Sequence, residues 1–219
     1  QMSRLANRAE VIKLARFLSV KAGSLSYLHD LPSDAVATLR SAISDVLHDE
    51  LREPLGLLAA VARWLPAWVS ALCARSWFGA PMTARLASEL PAWRVANIAK
   101  YLDTEFLADV AIDLDPRSAR EVLHLLAAKK VMAISHVLLL RRDFVTLGRF
   151  VALLPDDVLQ QVAVSIEDEG DLLQILFFIE ARYRIDHIVR LIPTERMRRA
   201  VLLVCDESRR DLWPSLLAL

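Results

Sequence analysis

The stretch LPAWRVANIAKYLDTEFLADVAIDLDPRSAREVLHLL, residues 90–126, states one apolar pattern three times. Val95, Ile98, Ala99 and Leu102 take the i, i+3, i+4, i+7 spacing of one buried helix face. Twelve residues on, Leu107, Val110, Ala111 and Leu114 repeat it, and after twelve more so do Ala119, Val122, Leu123 and Leu126. A single helix cannot hold that period on one face, because 3.6 residues per turn does not divide it. Breakers stand at the joins: Pro91, Asp103 and Asp115-Pro116. Proline suits a first helical turn, and aspartate accepts from the free amides there. Each unit is therefore predicted to be a short helix followed by a tight connection.

The pattern extends in both directions. Forward it gives Val131, Ile134, Ser135, Leu138, then Phe144, Leu147, Gly148, Val151, then Leu159, Val162, Ala163, Ile166. It continues as Leu172, Ile175, Leu176, Ile179, as Ile185, Ile188, Val189, Ile192, and as Met197, Ala200, Val201, Val204. Backward it gives Thr83, Leu86, Ala87, Leu90 and Leu58, Val61, Ala62, Leu65. The third station is often small, which lets neighbouring helices approach closely. Two units of about 12–13 residues make a hairpin of about 25, the interval between the two LPAW corners at Pro66 and Pro91 (91 − 66 = 25). Helices this short are marginal alone and must stack. The expected fold is an all-α superhelix of antiparallel hairpins over residues 56–219, with residues 1–55 as a looser helical cap on the first regular hairpin. In that cap a helix over about residues 3–20 precedes the loop KAGSLSYLHDLPSD and a second helix from about Ser33.

Composition agrees. Of 219 residues, 55% are hydrophobic and only 5 are glycine, a balance that favours packed helices. The 27 basic and 27 acidic residues cancel, so bulk charge speaks against a role on nucleic acid. Cys73 and Cys205 sit singly in apolar helical patterns and are expected to be reduced thiols of a cytoplasmic protein. No cleavable signal peptide is expected from the charged opening residues. The most apolar run, Leu55–Leu72, holds Arg63 near its middle and Pro66 just after, so membrane insertion is not expected.

Reactive chemistry is hard to find. His29, His48, His124, His136 and His187 form no metal-ligand spacing, and there is no GxSxG, Walker or GxGxxG motif. No catalytic, cofactor or metal residues are expected. Asp103, Glu105, Asp109 and Asp113 are expected to form a solvated face, and EDEGDL (167–172) a connecting loop. The basic pairs Arg141-Arg142, Arg198-Arg199 and Arg209-Arg210 each lie beside an acid. The aromatic residues say more. Trp64, Trp68, Trp77 and Trp93 fall within thirty residues, with Met82 among them. They either fill the space between cap and first hairpins or form a protein-partner or self-association surface. The function expected is a non-enzymatic interaction or regulatory scaffold. The alternatives are a nucleic-acid-binding solenoid and an enzyme using a buried carboxylate.

The frame of a two-turn helix, then LP or LDP, then acidic residues resembles the N-terminal cytosolic domain of MgtE-type magnesium transporters and the helical superhelix of the flagellar protein FliG. The stretch 90–126 carries the resemblance best, with LLPDDVLQQVAVSI at 153–166 second, and it covers about residues 58–204. It implies a bacterial, non-catalytic regulatory superhelix in which acidic residues sense magnesium. In this chain the acidic runs Asp156-Asp157 and Glu167-Asp168-Glu169 are matched by nearby arginines, so magnesium binding is not expected.

Overall fold

Proline and aspartate set the corners, and helix fills what lies between them. In a computed structural model that describes residues 2–18, 20–179 and 184–205, the described residues hold helices and no strand. The elements are α1 (Met2–Phe17), a 3-10 segment (Ala22–Asp30), α2 (Ser33–Trp64), α3 (Ala67–Cys73), a π-helical turn (Ala74–Phe78) and α4 (Gly79–Glu89). Then come α5 (Ala92–Ala99), α6 (Thr104–Asp113), α7 (Pro116–Leu125), α8 (Ala128–Leu140) and α9 (Phe144–Val151). The last four are α10 (Asp156–Ser165), α11 (Glu169–Phe177), α12 (Ile185–Leu191) and α13 (Thr194–Cys205). From α4 onward each apolar quartet has one helix to itself, apart from closing residues in the following turn.

The two LPAW corners have the same backbone. Pro66 lies at φ −54°, ψ 142° and Pro91 at φ −58°, ψ 140°, and Pro155 repeats this at −58°, 149°. These prolines stand one residue before the first helical position. There the fixed φ costs nothing, and their carbonyls accept the first helical amides, from Ser70 (3.1 Å), Val95 (3.1 Å) and Leu159 (2.8 Å). Pro116 alone stands at the first helical position, behind the Asp115 cap. Side-chain caps close four more joins: Asp103 accepts from the amide of Phe106, Asp115 from Arg117, Asp143 from Thr146 and Asp168 from Gly170 and Asp171. The exit of α8 uses a left-handed residue without glycine. Arg142 has φ 54°, and the amides of Arg142 and Asp143 bond back to Leu139 and Leu138.

Stacking runs from a helix to the one two places on: α2 to α4, α3 to α5, and so on to α8 with α10 and α9 with α11, and again from α11 to α13. Gly148 shows how close this becomes. A β-carbon there would meet the Cβ of Phe178 at 2.6 Å and the carbonyl oxygen of Ile175 at 2.7 Å, so α9 and α11 touch backbone to backbone. The main core runs from Ala108 and Val131 through Phe144, Leu147 and Leu159 to Ile188 and Ile192.

A second set of ties spans three helices. Helix C-termini leave carbonyls without amide donors. Here cationic side chains from the helix three places on supply them. Arg94 of α5 donates to Ala62 (2.8 Å) and Leu65 at the end of α2, and Lys130 of α8 to Leu102 (2.6 Å) after α5. Arg149 of α9 donates to Ile112 and Leu114 (both 3.1 Å), Arg184 to Ala152 (2.6 Å), and Arg196 of α13 to Ala163 and Ile166. Arg94, Lys130 and Arg196 are each the third residue of their own helix, where the helix dipole disfavours a cation. Their placement makes sense only through the neighbour they cap.

The N-terminal region departs from a simple cap. α2 crosses residues 55 and 56 without a break. Its first half, α1 and the 3-10 segment enclose a small core of Val11, Leu14, Ala15, Leu25, Leu28 and Val36. Ala9 and Ile12, on another side of α1, join the main core with Ala108 of α6. The N-terminal unit therefore leans on the middle of the stack and leaves outward residues of α2 and α3 in solvent.

Candidate docking surface

Interior pairs of a stack are covered on both sides. The first regular pair, the end of α2 with α3, is followed by α4 and α5, and among the described residues only α1 and the 3-10 segment come before it, α1 packing along α2. The consequence is an apolar face in water. Leu57, Val61 and Trp64 follow one stripe of α2, and Trp68 and Leu72 one stripe of α3; all five are exposed. Trp64 is 91% exposed and Trp77 is 80% exposed, values at which neither ring can be filling a core.

All five residues predicted as a candidate surface lie on or beside this pair. Trp68 and Trp93 are the second residues of α3 and α5, two helices that pack together, and their exposures of 57% and 56% agree with equivalent stations. Trp64 joins them at the α2–α3 corner. Trp77 and Met82 lie at the other end of α3, in the π-helical turn and the first turn of α4. Met82 is half-buried. The aromatic residues therefore flank both ends of the first pair, not a single point. The π-helical turn ends at Gly79, whose φ of 69° and open surroundings let the chain reverse into α4 where a side chain would be strained.

Behind this face the seam between the layers is open. A groove of about 270 Å³ is bordered by Leu58, Val61, Leu65, Cys73, Trp77 and Phe78, and extends inward to Ile98 and Leu107. A second space of about 100 Å³ continues from the shared walls Ala87, Val95, Ala99, Leu107 and Val110 toward Leu138 and Val151. The walls are apolar almost throughout, so the space offers nothing to hold water or a charge. Cys73 is half-buried on this wall. The side chain of Cys205 lies outside the described residues.

Several charged residues pair with one another. Arg141 bridges Asp109 and Glu105, and its pKa is raised, first by the Asp109 hydrogen bond; burial opposes this as the next largest effect, and the Asp109 charge and the bond and charge of Glu105 add to the rise. Asp103 pairs with Arg75 (3.0 Å), Asp171 with Arg142 (2.9 Å), and Asp156 with Arg184 and His187 (both 2.9 Å). EDEGDL is a helix start. Asp168 caps α11, while Glu169 receives Arg199 (2.9 Å) and Arg196. Burial alone would raise the Glu169 carboxyl, yet the Arg199 hydrogen bond and the two arginine charges hold it below the usual carboxylate range. The buried Asp143 is a cap, accepting from the amide and hydroxyl of Thr146.

The histidines are scattered. His29 bonds Asn7 (3.2 Å), His187 bonds Asp156, and His124 and His136 are exposed; the side chain of His48 and all of Arg209 and Arg210 lie outside the described residues. Among the described residues no three His, Cys, Asp or Glu side chains gather as a metal site would require. None of the described helices is long and apolar enough to cross a membrane.

Compared with known proteins, the chain matches no family model, no curated protein and no solved structure.

Proposed function

We propose that the chain is a non-enzymatic helical-repeat scaffold that works as an interaction or regulatory module, docking through the face formed by the end of α2, α3 and the start of α5. The observation that carries this is the exposure of four tryptophans around one uncovered helix pair. Large apolar rings in water cost free energy that a monomer has no reason to bear, whereas a docking face recovers it on binding. The apolar groove behind the rings supports the same reading, since it can receive side chains inserted from outside. The repeat supplies rigidity and spacing.

The test is Trp68→Ser/Trp93→Ser. The double variant should keep its helical circular dichroism and melting temperature almost unchanged while losing the association of the native chain, followed by sedimentation. Cooperative loss of helix in that variant would place the rings in the core and defeat the docking reading.

A further inference from the structure

The charge around this face is one-sided. Between Glu53 and Glu89 the chain carries Arg63, Arg75 and Arg85 and no carboxylate. In the second half of the stack the basic and acidic residues alternate and pair, as Arg141, Arg142, Arg184 and Arg199 do. Arg63 and Arg75 are exposed, and Arg75 shares its charge only with Asp103, outside the stretch. Cationic groups thus lie near the apolar ones, Arg63 in the last turn of α2 and Arg75 in the π-helical turn that follows α3.

We propose that this face docks on an anionic lipid surface, with the last turns of α2 and α3 lying in the headgroup region. The proposal rests on the docking reading above and names its partner. Tryptophan is suited to that depth, since its ring is apolar and its N–H still seeks a partner. Arginine beside it draws the helix to anionic headgroups, and the stem packs along the apolar boundary. Arg63, which makes the run Leu55–Leu72 a poor spanning segment, is well placed in a helix that lies in the interface plane. Trp68 and Trp77 are separated by nine residues, roughly 13 Å of helix at 1.5 Å per residue. A band of that extent, with rings at both ends and Asp103 as the acid paired to it, meets a planar, fluid, negatively charged surface without needing register.

The experiment uses the whole chain with sucrose-loaded vesicles of phosphatidylcholine, alone or mixed with phosphatidylglycerol. Tryptophan emission and co-sedimentation are the readouts, and sedimentation equilibrium without lipid is run beside them. The native chain should pellet with the mixed vesicles, shift its emission to the blue, and bind pure phosphatidylcholine weakly. Raised salt should release it. Trp64→Ser/Trp77→Ser should abolish pelleting at an unchanged melting temperature. Arg63→Gln should weaken partitioning roughly fivefold, the effect of one arginine at an anionic surface. Failure to bind mixed vesicles, or binding unaltered in the double tryptophan variant, overturns the lipid proposal. Lipid-independent self-association that the tryptophan variants abolish would leave the docking face standing and assign it to a second copy. Neither vesicle binding nor association would remove both readings.

Discussion

The same quartet that closes one half of the molecule leaves the other half open. On α9 the stations Phe144, Leu147, Gly148 and Val151 are all buried; at the end of α2 Leu58 and Val61 are exposed, and Ala62 and Leu65 only half-buried. The stripes are equally apolar, so hydrophobicity cannot be the cause. Coverage differs: α9 packs against α7, α8 and α11, whereas α2, among the described residues, packs against α1 and α4. Side-chain size differs as well. Gly148 lets two backbones meet, while the rings of α2 and α3 point outward. The comparison teaches that periodicity chooses which face seeks burial, and the neighbours decide whether it is buried.

The largest effect that could break this comparison is at Gly148. Gly148→Ala forces a methyl against Phe178 and the carbonyl oxygen of Ile175 at under 3 Å, and backbone atoms cannot swing aside as a flexible side chain can. We expect a loss of about 3 kcal/mol or more, measured by urea unfolding. A variant as stable as the native chain would mean that α9 and α11 are not in close contact. The control is Gly56→Ala in the open half. Gly56 lies in α2 with nothing within 4 Å of the added methyl, so helix propensity alone acts and should raise stability by about 0.5–1 kcal/mol.

Next come the cations that cap neighbouring helices. Arg94→Met should cost about 2 kcal/mol, because Arg94 is buried and the carbonyls of Ala62 and Leu65 would lose their donor in an apolar setting. Arg196→Met removes the same kind of bond from Ala163 and Ile166, but Arg196 is only half-buried, so about 1 kcal/mol is expected. Equal losses at the two sites would show that burial does not separate the halves at these corners.

These arginines also mark where sequence reading stopped. The quartets, the corner prolines and the capping aspartates were legible because each is a local signal, readable within one helix and its turn. Even there proline fell one residue earlier than its usual station, a shift that only backbone geometry reveals. Arg94, Lys130 and Arg196 serve a helix about thirty residues away, so nothing in their own turn explains them. A faint trace exists in PAWR (91–94) and PTER (193–196), where a cation occupies a position that its own helix disfavours. The tryptophans were visible as a cluster, but whether they faced in or out depended on which helices pack beside them. The continuity of α2 across residues 55 and 56 was hidden by the apolar run Leu55–Leu72, whose character suggested a new unit.

The smallest effect expected is one of pH, and it sharpens the contrast because the open half carries no carboxylate between Glu53 and Glu89. Acid sensitivity must then originate largely in the paired carboxylates elsewhere, and Glu169 is held below its usual range by arginines. A depressed carboxyl stabilises the folded chain above its unfolded pKa, about 4.3 for glutamate, and that contribution disappears as pH falls through this value toward the lower folded one. The native chain should therefore lose stability as pH drops below about 5. Glu169→Gln, which keeps the shape but not the charge, should be less stable at neutral pH and show a flatter decline. Melting temperatures of both chains across this range decide it. Parallel curves would mean that the ties between Glu169, Arg196 and Arg199 contribute nothing to closing the second half, and that its stability rests on the packing around Gly148 alone.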